Sequence, residues 1–141
     1  MRPGVFDALA GVDLILHAGD VGGTSVLTEL KAIAPVQAVY GNTDPAGDPP
    51  LEGQLELQID GLSIHVSHGH ELGAPTPERL LDAYNADIIV YGHTHKALVE
   101  RSGKRLVINP GAAGPRRFNV KPSVARLTIV EGRAEVEILW L

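Results

Sequence analysis

Two histidines stand one residue apart in Gly92-His93-Thr94-His95, directly after the apolar run "DIIVY". A second pair, His68 and His70, closes "IHVSHGH"; Asp20 follows "LILHAG", and Asn42 follows "QAVYG". Asp20, Asn42, His68, His93 and His95 offer oxygen and imidazole nitrogen, and the chain has no cysteine to add sulfur. That donor set suits manganese, iron, zinc or a similar divalent ion better than copper(I) or an iron–sulfur cluster. The spacing refines this. Residues i and i+2 share a face on a strand, but in the turn after it they can diverge toward two ions, whereas an i, i+4 pair would suggest one ion on a helix. Two neighbouring ions are expected, with Asp20 able to bridge them. Ions ~3.5–4 Å apart hold a bridging hydroxide and neutralise phosphoryl oxygens, the usual apparatus of phosphoester hydrolysis.

Each residue also has a plain structural explanation. A histidine at a strand end is usually a hydrogen-bonded surface group, and Gly41-Asn42 alone could be an ordinary turn. Their joint placement decides the matter, because four strands each end in a turn that carries a potential ligand. In open α/β sheets the functional crevice lies outside the carboxyl ends of the strands. His17 and His65 fall inside strand runs and read as packed or hydrogen-bonded residues. His70 could face substrate, donate a proton or simply hold its loop.

The elements that must position these groups alternate between short apolar runs and helical patterns, as in an α/β fold. "VDLILHAGD" and "VQAVYGNTD" read as strands flanking the helix "TSVLTELKAIA", with apolar Val26, Leu27, Leu30 and Ile33 and a cap at Thr24 or Ser25. "LELQI" and "LSIHVSHG" flank Asp60-Gly61, a dipeptide suited to a two-residue hairpin. Thr76-Pro77 opens a helix running roughly to Asn85, with a hydroxyl cap and a proline where no N–H is needed. "DIIVY" and "RLVINPG" are further strands. "SVARLTIV" and "AEVEILWL" form a terminal hairpin about Glu131-Gly132-Arg133. No repeat, low-complexity tract or linker interrupts the 141 residues, which read as one domain, 1–141.

A net charge of -5 argues against a broad nucleic-acid surface, which needs an excess of Lys and Arg. No apolar run approaches the ~18 residues of a membrane helix, and no basic-then-apolar leader opens the chain. A cytoplasmic location is the default expectation.

The ordered set "GD" at 19–20, "GNTD" at 41–44, "SHGH" at 67–70, "GHTH" at 92–95 and "NPG" at 109–111 resembles the calcineurin-like metallophosphoesterases, above all their small YfcE-type phosphodiesterase branch. The resemblance spans essentially the whole chain. It implies a sandwich of two mixed β-sheets flanked by helices, with a dinuclear site at one end. It further implies that Asp20 bridges two divalent ions, manganese foremost, with iron, zinc, nickel or magnesium as alternatives. Asn42, His68 and His93 would complete the second ion's shell, and His95 would bind the first. Asn42 and His70 would meet a small phosphoester substrate, and a homo-oligomer is allowed.

Two departures qualify the resemblance. Thr43 stands where the wider superfamily has a histidine that assists the leaving group, and a threonine hydroxyl is a poor general acid at neutral pH. The small phosphodiesterase branch shares that lack. It leaves the proton step to water, to His70 or to good leaving groups. The family also opens with a strand ending in D-x-H, and no D-x-H precedes Asp20. The first strand and two ligands of the first ion are therefore expected to be missing here, and the natural product to be longer. The expected activity is metal-dependent phosphodiester hydrolysis. Two alternatives stand beside it: a non-catalytic interaction protein, as in the retromer scaffold of the same fold, and a weak mononuclear phosphatase.

Overall fold

The computed structural model describes residues 3–18, 24–39, 53–73, 75–94, 96–111 and 122–141. In chain order the elements are α1 (Pro3–Ala8), β1 (Ile15–His17), α2 (Thr24–Lys31), β2 (Val36–Ala38), β3 (Gln54–Ile59) and β4 (Leu62–Ser67). After β4 come a 3-10 turn (His70–Leu72), α3 (Pro77–Ala83), β5 (Ile88–Val90), β6 (Leu98–Ser102) and β7 (Arg105–Asn109). β8 (Ser123–Val130) and β9 (Arg133–Trp140) close the chain.

Short, wholly apolar strands require partners on both sides and cover on both faces. β5 has both. It lies at the centre of a five-stranded sheet of order β3-β4-β5-β7-β6, parallel to β4 and β7, while β3 and β6 pair antiparallel at the two edges. On one face Ile64, Ile88 and Leu106 stand in register, as do Val66, Val90 and Ile108, and all six are buried. Ala125, Leu127, Ile129, Ala134 and Val136 of the antiparallel β8–β9 hairpin pack against them, together with Ala18 and Val39 beyond β1 and β2. On the opposite face Ile89, Tyr91 and Val107 pack with Leu80 of α3 and Ala86. A third cluster joins Val5 and Leu9 to Ile15, Leu30, Ala34 and Val124, which seats α1 and α2 on the parallel β1–β2 pair and the base of the hairpin. These mixed sheets with flanking helices are the expected α/β architecture.

Local chemistry accounts for the turns. Asp60 and Gly61 both adopt positive φ, 50° and 82°, as a two-residue primed turn requires, and Glu131–Gly132 repeat the pattern at 52° and 75°. The last turn is therefore two residues long, and Arg133 already belongs to β9. Thr76 caps α3 by accepting the Arg79 N–H at 3.3 Å, with Pro77 in the first turn.

That helix ends at Ala83, two residues before the sequence-based expectation, because Tyr84 turns extended (φ −126°, ψ 139°). The Arg105 guanidinium occupies the end of α3, donating to the carbonyls of Leu81, Tyr84 and Ala86. Arg126 similarly reaches the carbonyls of Ala8, the last residue of α1, and of Ala10 just past it. A cation there satisfies orphan carbonyls and the negative end of the helix dipole. The sequence patterns did not indicate β6. It is an edge strand with all residues after Leu98 exposed, so its apolar content is low. Among the described residues no helix is long and apolar enough to cross a membrane.

Candidate metal centre

The carboxyl ends of β4, β5 and β7 lie side by side because the three strands are parallel, so the turns bearing His68, His93 and Asn109 are neighbours. The β1–β2 pair reaches the same place. His68 is 2% exposed, and its Nδ1 lies 2.7 Å from the Ala18 carbonyl just past β1. The Gly92 N–H donates to the His68 carbonyl at 3.0 Å, and the Val39 N–H to the His17 carbonyl at 3.1 Å.

A carbonyl can only accept, so His68 Nδ1 carries the proton and a neutral ring leaves Nε2 as a lone pair. That atom lies 3.3 Å from His93 Nδ1 and can accept a hydrogen bond from it when His93 carries its proton there. Two imidazole nitrogens that share one ion at about 2.0–2.1 Å each stand about 3.3 Å apart at a tetrahedral angle. Donation of the second ring N–H to a backbone carbonyl is how ligating histidines are generally oriented. The pair therefore fits a divalent cation. His70 stands beside it, with its ring centre 5.2 Å from that of His68 and 6.4 Å from that of His93. Among the described residues no group of three or more His, Asp or Glu side chains is arranged to hold an ion, so His70 does not complete a ligand set with the pair. Asp20, Asn42 and His95 lie outside the described residues, as does Thr43.

Close approach favours the glycine of "GHTH". A Cβ on Gly92 would stand 3.1 Å from the Ala18 carbonyl oxygen and 3.3 Å from His68 Nδ1, crowding the bond that orients His68. His93 follows at φ 68°, and the Thr94 N–H closes onto the Gly92 carbonyl at 2.8 Å. This is a γ-turn of the strained hand, at a cost of about 1–3 kcal/mol for a non-glycine centre. Such strain is concentrated at functional sites.

Two supports escaped the sequence reading. Asn109 of "NPG" is fully buried, and its Nδ2 donates to the Gly92 carbonyl at 3.2 Å and Thr94 Oγ1 at 2.9 Å. Its Oδ1 accepts the Gly111 N–H at 2.9 Å. Nothing in the "NPG" motif itself reveals this brace.

The second support is Glu71, which holds the "SHGH" turn by accepting the Gly69 N–H at 3.0 Å and the Tyr84 hydroxyl at 2.7 Å. Burial opposes the Glu71 charge, but the bonds from Tyr84 and the backbone outweigh it and set the pKa below the ordinary carboxylate value. Burial, then the bond to Glu71 and its charge, push the Tyr84 hydroxyl up to about 12. His65 is a packed residue, as its strand position implied. It is fully buried, bonded through Nδ1 to Glu56 and stacked on Tyr84 at 3.7 Å. His17 lies half-buried within β1.

Comparison with known proteins identifies the family. The family described as "Calcineurin-like phosphoesterase superfamily domain" matches residues 2–132. A protein of Methanothermobacter thermautotrophicus named "Probable metallophosphoesterase" is 33% identical over 138 residues, covering 96% of this chain and 80% of its own. "Phosphodiesterase YfcE" of Escherichia coli is 32% identical over 83 residues, 55% of this chain and 44% of that protein. Among solved structures, Vps29 of Entamoeba histolytica complexed with zinc superposes with a TM-score of 0.75 at 27% identity, covering 99% of this chain and 90% of that one. The chain belongs to the calcineurin-like phosphoesterase superfamily and fits its YfcE-type branch.

Proposed function

We propose that the protein is a metal-dependent phosphodiesterase whose site forms at the carboxyl ends of β4 and β5, beside the end of β1. The observation that carries this reading is the His68–His93 pair. One ring nitrogen of His68 is committed to the Ala18 carbonyl, and the other, at 3.3 Å, faces the ring of a histidine held in a strained turn. His68 and His93, with Asn42 and Asp20, would hold one divalent ion; Asp20 and His95 are what this chain would offer a neighbouring ion, two ligands short of the family's set. When bound, such ions lower the pKa of water from about 15.7 toward about 7 and neutralise phosphoryl charge.

The chain's own residues do the rest. The Ala18 carbonyl fixes the tautomer and plane of His68. Glu71 and Tyr84 hold the turn from which His70 can meet the leaving oxygen or a phosphoryl oxygen. Manganese is the ion proposed, and the substrate a small phosphodiester in a cytoplasmic setting. The names of the matched proteins support hydrolysis of this bond class.

The test is hydrolysis of bis-p-nitrophenyl phosphate with Mn²⁺, with chelator, and for His68→Ala and His93→Ala. Metal-dependent turnover lost in both variants supports the reading; turnover that survives chelation and both substitutions contradicts it. A second reading, a binding protein of the same fold that performs no chemistry, draws on the likeness to Vps29. Absence of both Mn²⁺ uptake and turnover in the wild type would favour it.

A further inference from the structure

The turn that carries His93 is strained, and such a conformation persists only where its surroundings over-determine it. His93 stands at φ 68° between Gly92 and Thr94, and the Thr94 N–H spans it to the Gly92 carbonyl at 2.8 Å. Thr94 itself is exposed, so core packing does not hold that end of the turn. Both ends converge instead on one buried group. Asn109 Nδ2 donates to the Gly92 carbonyl at 3.2 Å and to Thr94 Oγ1 at 2.9 Å. The amide cannot swivel freely, because its Oδ1 accepts the Gly111 N–H at 2.9 Å and the residue is fully buried at the end of β7.

We propose that Asn109 is a positioning residue that clamps the Gly92–Thr94 turn and so keeps His93 Nδ1 aimed at His68 Nε2. The proposal rests on the reading of His68 and His93 as ligands of one divalent ion. It makes the asparagine of "NPG" part of the same device as "GHTH", linked across the parallel β5–β7 pair. Without the clamp the turn can relax toward ordinary backbone geometry, and His93 leaves the lone pair of His68. Outer groups that orient a ligand typically govern metal affinity by 10–100-fold.

The test compares the wild type with Asn109→Ala, Thr94→Val and Thr94→Ser. Thr94→Val removes the acceptor from an exposed site, along with the longer bond that Thr94 Oγ1 accepts from the Lys96 N–H at 3.4 Å. It tests the turn even if Asn109→Ala does not fold, and agreement of the two variants assigns the effect to the Asn109 bond. Mn²⁺ affinity, read by isothermal titration, should fall about 10–100-fold in Asn109→Ala and Thr94→Val, and Thr94→Ser should stay close to wild type. In metal-free protein, hydrogen exchange at the Thr94 N–H should quicken up to about tenfold in the first two variants. A polar group that merely stabilised the fold would lower stability and leave affinity and local exchange where they were. That outcome, or Mn²⁺ bound by both variants as tightly as by the wild type, overturns the clamp. A wild type that takes up no Mn²⁺ would sink the reading of the site, while the exchange comparison on metal-free protein still decides the clamp.

Discussion

Gly111→Ala probes the link between the "NPG" turn and the fold, and its cost can be worked from two separate terms. Gly111 adopts φ 82°, and forcing an L-residue into the left-handed region costs about 1–2 kcal/mol. A methyl group there would also lie 2.0 Å from Ser123 Oγ, which must move. Ser123 is 1% exposed and donates to the Pro110 carbonyl at 2.8 Å, so moving it strands a partly buried acceptor at about 1–3 kcal/mol. The total of about 2–5 kcal/mol is a large share of a typical 5–15 kcal/mol stability. In a chain of this size that corresponds to a melting point lower by roughly 5–15 °C. The assay is urea denaturation of Gly111→Ala, Ser123→Ala and the double variant. The stranded carbonyl is common to both single changes, so the double variant should cost about 1–3 kcal/mol less than their sum. Additive costs would refute the clash, and a Gly111→Ala protein as stable as wild type would refute both terms.

The Arg105 cap should be specific to the guanidinium: Arg105→Lys loses two of three carbonyl bonds, and Arg105→Ala should lower urea-derived stability by about 2–4 kcal/mol. Glu71 supplies one pH dependence. Its folded pKa lies below the ordinary 4.5, so its contribution is present above 4.5 and is lost as pH falls through the folded value. Glu71→Gln should flatten that acid limb of the urea midpoint. Tyr84 acts at the other extreme. Its folded pKa of about 12 exceeds the ordinary 10.0, so stability is intact below 10.0 and declines as pH rises toward 12. Tyr84→Phe should remove the decline.

The alternation of strand and helix was legible because burial imposes it: the run "IIVY" has no polar face to show water, whereas "SVARLTIV" sets Ala125, Leu127 and Ile129 on the core face and Arg126 and Thr128 on the other. The primed turn at Asp60-Gly61 was legible for a similar reason, since few dipeptides tolerate positive φ at both positions, whereas Glu131 does not advertise its φ of 52° and the last turn reads one residue too long. β6 was not legible. An exposed edge strand is defined by its partner β7 rather than by its own residues. His68 and His93 could be singled out from their place after strands, and His65 set aside for its place within one. The braces from Asn109 and Glu71 could not be found, because each depends on strand pairing or chain reversal that brings distant turns together. Asn109 lies 15 residues from Thr94 along the chain but within hydrogen-bond reach in space. The positive φ of His93 was equally hidden, since nothing in "GHTH" announces that the histidine, rather than the glycine, takes the left-handed conformation.

The central claim is that His68 and His93 share one divalent ion. Crystals grown with Mn²⁺ and measured at the manganese edge test it most directly. An anomalous peak is expected in contact with both His68 Nε2 and His93 Nδ1, with His68 Nδ1 still bonded to the Ala18 carbonyl. A peak bound elsewhere, or two imidazoles joined by a proton with no metal between them at saturating Mn²⁺, would contradict it.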